Sequence, residues 1–189
     1  MTLLPFETER LIVRNWREED RDLFHEINSD DRVMEFFPFR RDRTQSDEML
    51  ERLAASIEET GFGLAALELR DTAECIGFTG LAPTHQIPVL PEGMLEIGWR
   101  LATRYWGKGY VTEAGREWLS KGFEELDLDE IVSFAVHNNV RSTAVMERLG
   151  MRPDPARDFD HPSVPDTYPQ LKRHVLYTLS REDWRTDTH

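Results

Sequence analysis

Disulfides are excluded within this chain, because Cys75 is the single cysteine among 189 residues. That usage suits a reducing compartment. Cys75 lies in the apolar run Cys75-Ile76-Gly77-Phe78 and reads as a buried structural thiol rather than a nucleophile. Positive charge is also scarce. Lys and Arg number 23 against 36 Asp and Glu, for a formal net charge of −13. That balance argues against nucleic acid as a partner. No apolar run approaches the ~20 residues needed to cross a bilayer, and the N-terminus shows no charged-then-apolar leader pattern. No His, Cys or Asp spacing suggests a metal. Asp158, Asp160 and His161 come nearest, and they fall in a Pro-rich polar stretch. The expectation is a cytoplasmic protein with no metal and neither nucleic acid nor membrane as a partner.

What the chain does have is centred on Leu95–Glu124. Leu95, Ile97, Trp99 and Leu101 alternate with Glu96, Gly98 and Arg100, a strand pattern. Val111, Ala114, Gly115, Trp118, Leu119 and Gly122 then repeat with helical spacing. Between them stands Arg104-Tyr105-Trp106-Gly107-Lys108-Gly109. A strand leading through a glycine-spaced loop into a helix makes an anion site. The first helical N–H groups lack intrahelical partners, and the helix dipole is positive at that end. Gly107 and Gly109 permit close backbone approach, while Arg104 and Lys108 supply cationic donors. A pyrophosphate is the expected guest. The cluster Arg40, Arg41 and Arg43 is a second possible source of positive charge, although a solvated loop is the plainer reading.

Three phosphate motifs compete for this loop. G-x-x-x-x-G-K-[ST] fails, because no Gly-Lys is followed by Ser or Thr. G-x-G-x-x-G fails, because the sixth position from Gly107 is Thr112. R-x-x-G-x-G is satisfied by Arg104, Gly107 and Gly109.

Elsewhere the pattern predicts a first strand over Thr8–Arg14 and a helix from Arg17 through Ile27. A short helical piece follows from Asp31 to Phe37, then a helix capped by Thr44 and ended by Gly61. Phe62–Leu69 and Glu74–Leu81 form a hairpin, and Pro83–Gly93 a loop. Ile131–Val136 is a strand broken by His137-Asn138-Asn139. Val140–Leu149 is a helix capped by Asn138 or Asn139 and closed by Gly150. Met151–Tyr168 reads as loop with a possible short strand at its start. Arg173–Leu179 is a last strand before a polar tail. One α/β domain spanning 1–189 with a mixed sheet is the economical architecture.

The R-x-x-G-x-G loop resembles the acetyl-CoA loop of the GNAT acyltransferases, and more narrowly of their RimJ/RimL-like branch. The opening Thr8-Glu9-Arg10-Leu11 and the later Asn139-x-x-Ser142 followed by Leu149-Gly150-Met151 strengthen the resemblance. It implies an α+β fold with a mixed, mostly antiparallel sheet of six to seven strands flanked by helices. It implies acetyl-CoA between the fourth and fifth strands, the pantetheine arm against Leu101 and Thr103, and the pyrophosphate on Arg104, Trp106, Gly107, Lys108, Gly109 and Tyr110. Trp99 and Arg100 would belong to the same edge, with Asn139 and Ser142 lining the arm. Asn139 also reads simply as a helix cap. Relatives of this branch are monomers or homodimers.

The implied activity is N-acetyl transfer to a primary amine, either a small molecule or a peptide or protein N-terminus. A non-catalytic acyl-CoA-binding sensor of the same fold is the alternative. One departure bears on that choice. Many members carry a tyrosine acid four residues after the Ser142 position, and here the residue is Met146. Ser142 becomes the candidate proton donor. The oxyanion would meet a backbone N–H near Trp99 to Leu101. Glu96 is the candidate base, against the plainer reading of a sheet-surface carboxylate paired with Arg100. An α-amine of pKa near ~8 costs about 0.7 kcal/mol to neutralise at pH 7.5, and a lysine near ~10.4 about 4 kcal/mol, so the former needs little help. The acceptor pocket would draw on Phe36, Phe37 and Phe39, although such aromatics are more often core.

Overall fold

A computed structural model describes residues 2–84 and 87–187. The chain runs β1 (Phe6–Glu7), β2 (Leu11–Arg14), α1 (Arg21–Ser29), α2 (Arg43–Thr60), β3 (Leu64–Leu69), β4 (Cys75–Pro83), β5 (Leu95–Leu101), α3 (Tyr110–Glu124), β6 (Glu130–Val136), α4 (Val140–Arg148), β7 (Arg152–Pro153), β8 (Phe159–Asp160), β9 (Arg173–Ser180) and α5 (Arg181–Asp187). The strands form one sheet in the order β1-β2-β3-β4-β5-β6-β9-β7, with β8 also on β9. Every pairing is antiparallel except β5 with β6. The expected mixed, mostly antiparallel sheet is therefore present, and it is wider than the six to seven strands read from the sequence. The extra strands, β1, β7 and β8, are two residues each, too short to leave an alternating pattern.

Alternation along β5 sorts its side chains. Leu95, Ile97 and Leu101 enter the main core with Val111, Ala114 and Trp118 of α3. Arg100 emerges on the other face, where it meets Asn28 of α1 and the ring of Phe78. Under α1, Trp16, Phe24 and Phe78 pack edge-on or tilted, with centroids 4.8 to 6.0 Å apart. Next to them is a buried ion network. Arg14 gives both terminal nitrogens to Asp20, at 2.7 and 2.9 Å, and its Nε to Glu68 at 2.6 Å.

Four local expectations change. Residues 31–37 form turns, not a helix; Met34 donates to the Asp30 carbonyl and Phe37 to that of Met34, both at 2.9 Å. The cap of α2 is Asp42, not Thr44. Its side chain accepts from the Gln45 backbone at 2.8 Å, and the Gln45 amide oxygen takes the Asp42 N–H at 3.1 Å. The first strand, expected over Thr8–Arg14, begins only at Leu11; residues 8–10 turn the chain back to β1, with the Thr8 N–H donating to the Leu11 carbonyl at 2.9 Å. The polar tail contains α5, anchored by Trp184 against Phe123 at 5.9 Å. In the predicted loop Pro83–Gly93, β4 extends to Pro83 and turns follow Ile87. His85 and Gln86, like Met1, Thr188 and His189, lie outside the described residues.

Candidate active site

The sheet opens where β5 meets β6. Among the described residues the two strands share one rung, Glu96 opposite Val132. Just past it the Ser133 hydroxyl donates to the Ile97 carbonyl at 2.9 Å. Backbone groups alternate sides along a strand, so the N–H and C=O of Trp99 and Leu101 turn the same way as those of Ile97, into the gap. Here β6 has left to pair with β9. A linear amide-bearing arm can extend the sheet at such an edge.

The loop below the gap is held in shape at both ends. The Trp106 indole N–H donates to the Leu101 carbonyl at 2.9 Å. Gly107 and Gly109 have φ of +73° and +81°, and a Cβ built on Gly107 would meet nothing within 4 Å. Gly109 caps α3 without a side-chain hydrogen bond, and the first α3 amide with a backbone partner outside the ladder is Glu113, bonded to the Gly109 carbonyl at 3.0 Å. The first-turn N–H groups ahead of it are open to an anion. Pyrophosphate fits this open cradle of amides, with Lys108 exposed beside it.

The side chains here depart from expectation at two places. Arg104 does not face the cradle; it pairs with Glu26 of α1 and lies over the Tyr105 ring. Lys108 is the loop's remaining expected cation, its ammonium 5.4 Å from the Tyr105 centroid. Arg100 is not brought to the cofactor edge. Its carbonyl faces β4, 2.3 Å from where a Cβ on Gly77 would stand, and its side chain is on the α1 face. Thr103 keeps its place beside the gap, its hydroxyl accepting from Arg32 at 3.0 Å.

Sequence reasoning missed what holds the loop. Thr8 and Arg10, from the opening motif, both reach Glu113 in the first turn of α3. The Thr8 hydroxyl donates at 2.6 Å, the Arg10 backbone at 2.8 Å and its Nε at 2.6 Å. Arg10 also donates to the Lys108 carbonyl at 3.0 Å and covers the Tyr110 ring at 4.7 Å. The T-x-R spacing was visible, but its partner lay a hundred residues away.

On the far wall, Asn139 caps α4, its Oδ1 accepting the Ser142 N–H at 3.2 Å. The cap reading of Asn139 therefore holds. The Ser142 hydroxyl has no hydrogen-bond partner among the described residues, and Met146 one turn later is buried.

Glu96 is the unusual group. It keeps part of its surface exposed, yet burial pushes its carboxyl up to about 7. It has no hydrogen bond or ion pair among the described residues, so the reading as a partner of Arg100 does not hold. Val132, its opposite number, clusters with Ile87, Phe159 and Leu176, with Met94 and Phe134 against them. Of the phenylalanines expected near the acceptor, Phe36 packs against the core cluster of Val136, Val164 and Leu171, and the other two do not. Phe39 is 41% exposed, and Phe37 lies under Arg100 at 4.4 Å.

Other titratable groups have structural roles. Asp158 accepts the Leu176 N–H at 3.0 Å, Asp160 stands 3.7 Å from Arg173, and His161 Nδ1 accepts the Ser163 N–H at 3.2 Å. Among the described residues no three His, Cys, Asp or Glu side chains converge on a metal site. The same residues include no helix long and apolar enough to cross a membrane. Burial pushes the Cys75 thiol up to about 12, which leaves it unreactive.

Comparison with known proteins carries the same fold and chemistry. Residues 10–152 match the family described as "Acetyltransferase (GNAT) domain". "Uncharacterized protein YkkB" of Bacillus subtilis is 31% identical over 136 residues, covering 70% of this chain and 77% of that protein. The FsC-acetyl coenzyme A-N(2)-transacetylase of Aspergillus fumigatus is 27% identical over 185 residues, covering 94% of this chain and 76% of that one. An acetyltransferase (GNAT family) from Bacillus anthracis superposes with a TM-score of 0.78 at 23% identity, covering 95% of this chain and 99% of its own. This chain belongs to the GNAT acetyltransferase family and is an N-acetyltransferase.

Proposed function

We propose that the enzyme transfers an acetyl group from acetyl-CoA directly to a primary amine, with Glu96 as general base. The observation that carries this reading is the unpaired Glu96 carboxylate, raised to about 7 beside the split in the sheet. A base of that pKa is half ionised near neutrality and can take the proton of an attacking primary amine. The amine nitrogen bonds to the thioester carbonyl carbon, its proton passes to Glu96, directly or through water, and the carbon–sulfur bond breaks. The backbone N–H of Trp99, turned into the gap, suits the developing oxyanion. The departing thiolate takes a proton from the Ser142 hydroxyl, which is replenished from solvent. Trp99, Leu101, Thr103 and the α4 start at Asn139 border the pantetheine arm. The amides of Gly107 to Tyr110, with Trp106 and Lys108, take the pyrophosphate.

Two measurements test this. Thiol release from acetyl-CoA with a panel of amines should fall about 10²–10⁴-fold in Glu96→Gln. The wild-type rate should rise with pH through about 7, because the base must be ionised, and the variant should lack that limb. A variant with undiminished turnover removes Glu96 from the mechanism. Separately, acetyl-CoA at 100 times its Kd adds about 2.7 kcal/mol to stability, and each kcal/mol raises the unfolding midpoint by roughly 2–4 °C in a chain of this size. Gly109→Trp should abolish that rise; a full shift in the variant would remove the pyrophosphate from this loop.

A further inference from the structure

The connection between α1 and α2 carries Arg32, Arg40 and Arg41, and two of them are neutralised locally. Arg32 pairs with Asp30 at 3.2 Å and Arg40 with Asp31 at 2.8 Å. Arg41 has no such partner. Its Nε is buried without a hydrogen bond, and its guanidinium lies over the Phe39 ring at 4.7 Å. Its backbone N–H donates to the Asn28 carbonyl at 3.0 Å. The side chain of the same Asn28 accepts from Arg100 at 2.5 Å. Arg100 in turn lies over Phe37 at 4.4 Å, and the Phe37 and Phe39 rings are 5.9 Å apart. Asn28 thus gathers two guanidinium-on-phenyl stacks, from positions 59 residues apart by number (100 less 41), into one corner.

Neither arginine meets a carboxylate among the described residues. Burial and then repulsion from Arg52 of α2 lower Arg41; burial and then repulsion from Arg41 lower Arg100, to about 10. In a chain of net charge −13, this corner is short of negative charge. Burying cations without a counter-charge is unfavourable, and an entering anion would relieve that. The guanidinium fork matches a carboxylate in particular.

The corner is aligned with Glu96. Both Glu96 and Arg100 belong to the α1 face of β5, and Gly98 stands between them. A Cβ on Gly98 would touch Leu64 Cδ2 at 3.6 Å and meet nothing else within 4 Å, so the glycine leaves a low floor bounded by Leu64. At ~3.3 Å per residue, the Cα atoms of Glu96 and Arg100 are about 13 Å apart. One strand face therefore presents a base, a low floor and a cationic corner in a row. We infer that the acceptor carries a carboxylate as well as an amine, and that Arg41 and Arg100 hold the carboxylate while the amine faces Glu96. This rests on the role proposed for Glu96 and narrows the acceptor to small amino-carboxylates.

The test compares ω-amino acids from 4-aminobutyrate to 6-aminohexanoate with their primary amides, following thiol release from acetyl-CoA. The acid should be favoured by tenfold or more in kcat/KM at the best length, chiefly through KM. Arg41→Gln and Arg100→Gln should each bring the acid-to-amide ratio close to one. A ratio near one in the wild type overturns the inference, as does a ratio that survives both substitutions. A raised KM for acetyl-CoA with the ratio intact also overturns it, since the pair then serves the donor. Glu96-dependent turnover of amides without acid preference leaves the proposed function standing and removes this inference alone. Should no amine turn over, unfolding midpoints with 6-acetamidohexanoate and its amide carry the test. A rise for the acid only, lost in Arg41→Gln, supports the inference; equal or absent shifts overturn it.

Discussion

Two arginine corners flank the α1 face of the sheet, and they differ in one respect. Arg14 is 5% exposed, and each of its guanidinium nitrogens donates to Asp20 or Glu68, with Nη1 also reaching the Asn15 carbonyl at 3.0 Å. Burial alone would lower its pKa; the bonds to the two carboxylates outweigh that and raise it. Arg100 has one neutral oxygen from Asn28 and a second cation nearby, and its pKa falls to about 10. Burial is therefore not what separates a structural charge from one available for chemistry. The difference lies in whether the chain provides the counter-charge itself. At Arg14 it does; at Arg41, Arg100 and Glu96 it does not.

The largest effect expected from this contrast is at the satisfied corner. Arg14→Met leaves the buried Asp20 without a cation and Glu68 with only the half-exposed Arg17 at 3.1 Å, and should lower unfolding free energy by about 3 kcal/mol, read from urea unfolding. Arg100→Met should leave the midpoint unchanged or raise it, because it removes an uncompensated cation. Equal losses in the two variants would break the comparison.

Comparable in size is the pH response of Glu96, whose carboxyl rises from an ordinary 4.5 to about 7 on folding. Its contribution to stability is full below about 4.5, where it is protonated in both states, and is lost as pH rises through 7. At ~1.4 kcal/mol per unit this is about 3 kcal/mol. The stability of Glu96→Gln relative to wild type should thus grow by that order between pH 4.5 and pH 8. A constant difference across that range would mean that Glu96 titrates normally.

The smallest effect belongs to a charge that is paired yet exposed. Arg10 is 44% exposed beside Glu113, so Arg10→Ala should cost less than about 1 kcal/mol in stability. Because it releases the Lys108 carbonyl and the first turn of α3, KM for acetyl-CoA should still rise severalfold. An unchanged KM would show that the loop holds its shape without the clamp.

The legible parts of the molecule were those written locally. The strand–loop–helix unit could be read because alternation, glycine spacing and helical spacing follow one another between Leu95 and Glu124. Glu96 and its face could be read from period two alone. Contacts between distant segments could not. Thr8 and Arg10 meet Glu113, and Arg41 meets Arg100 through Asn28, only because the sheet and α1 bring them together. The cap of α2 was misread because Asp42 and Thr44 are both good cap residues. Gln45 settles it by returning to the Asp42 N–H, while Asp47 is taken by Arg43. In α5 a signal was present and passed over: the Ser180 hydroxyl meets the Asp183 N–H at 3.1 Å, which starts a helix in residues that look like a tail.

The indole of Trp106 ties the loop to Leu101 through one hydrogen bond and lies under the Arg141 guanidinium at 4.7 Å. Indole emission responds to polar contacts of this kind, and both border the segment proposed to seat the donor. Trp118, by contrast, is fully buried and its indole N–H has no hydrogen bond. The chain thus contains a responsive fluorophore and a steady one. Arrival of the donor should be visible as a change in intrinsic emission, without a label and before any turnover.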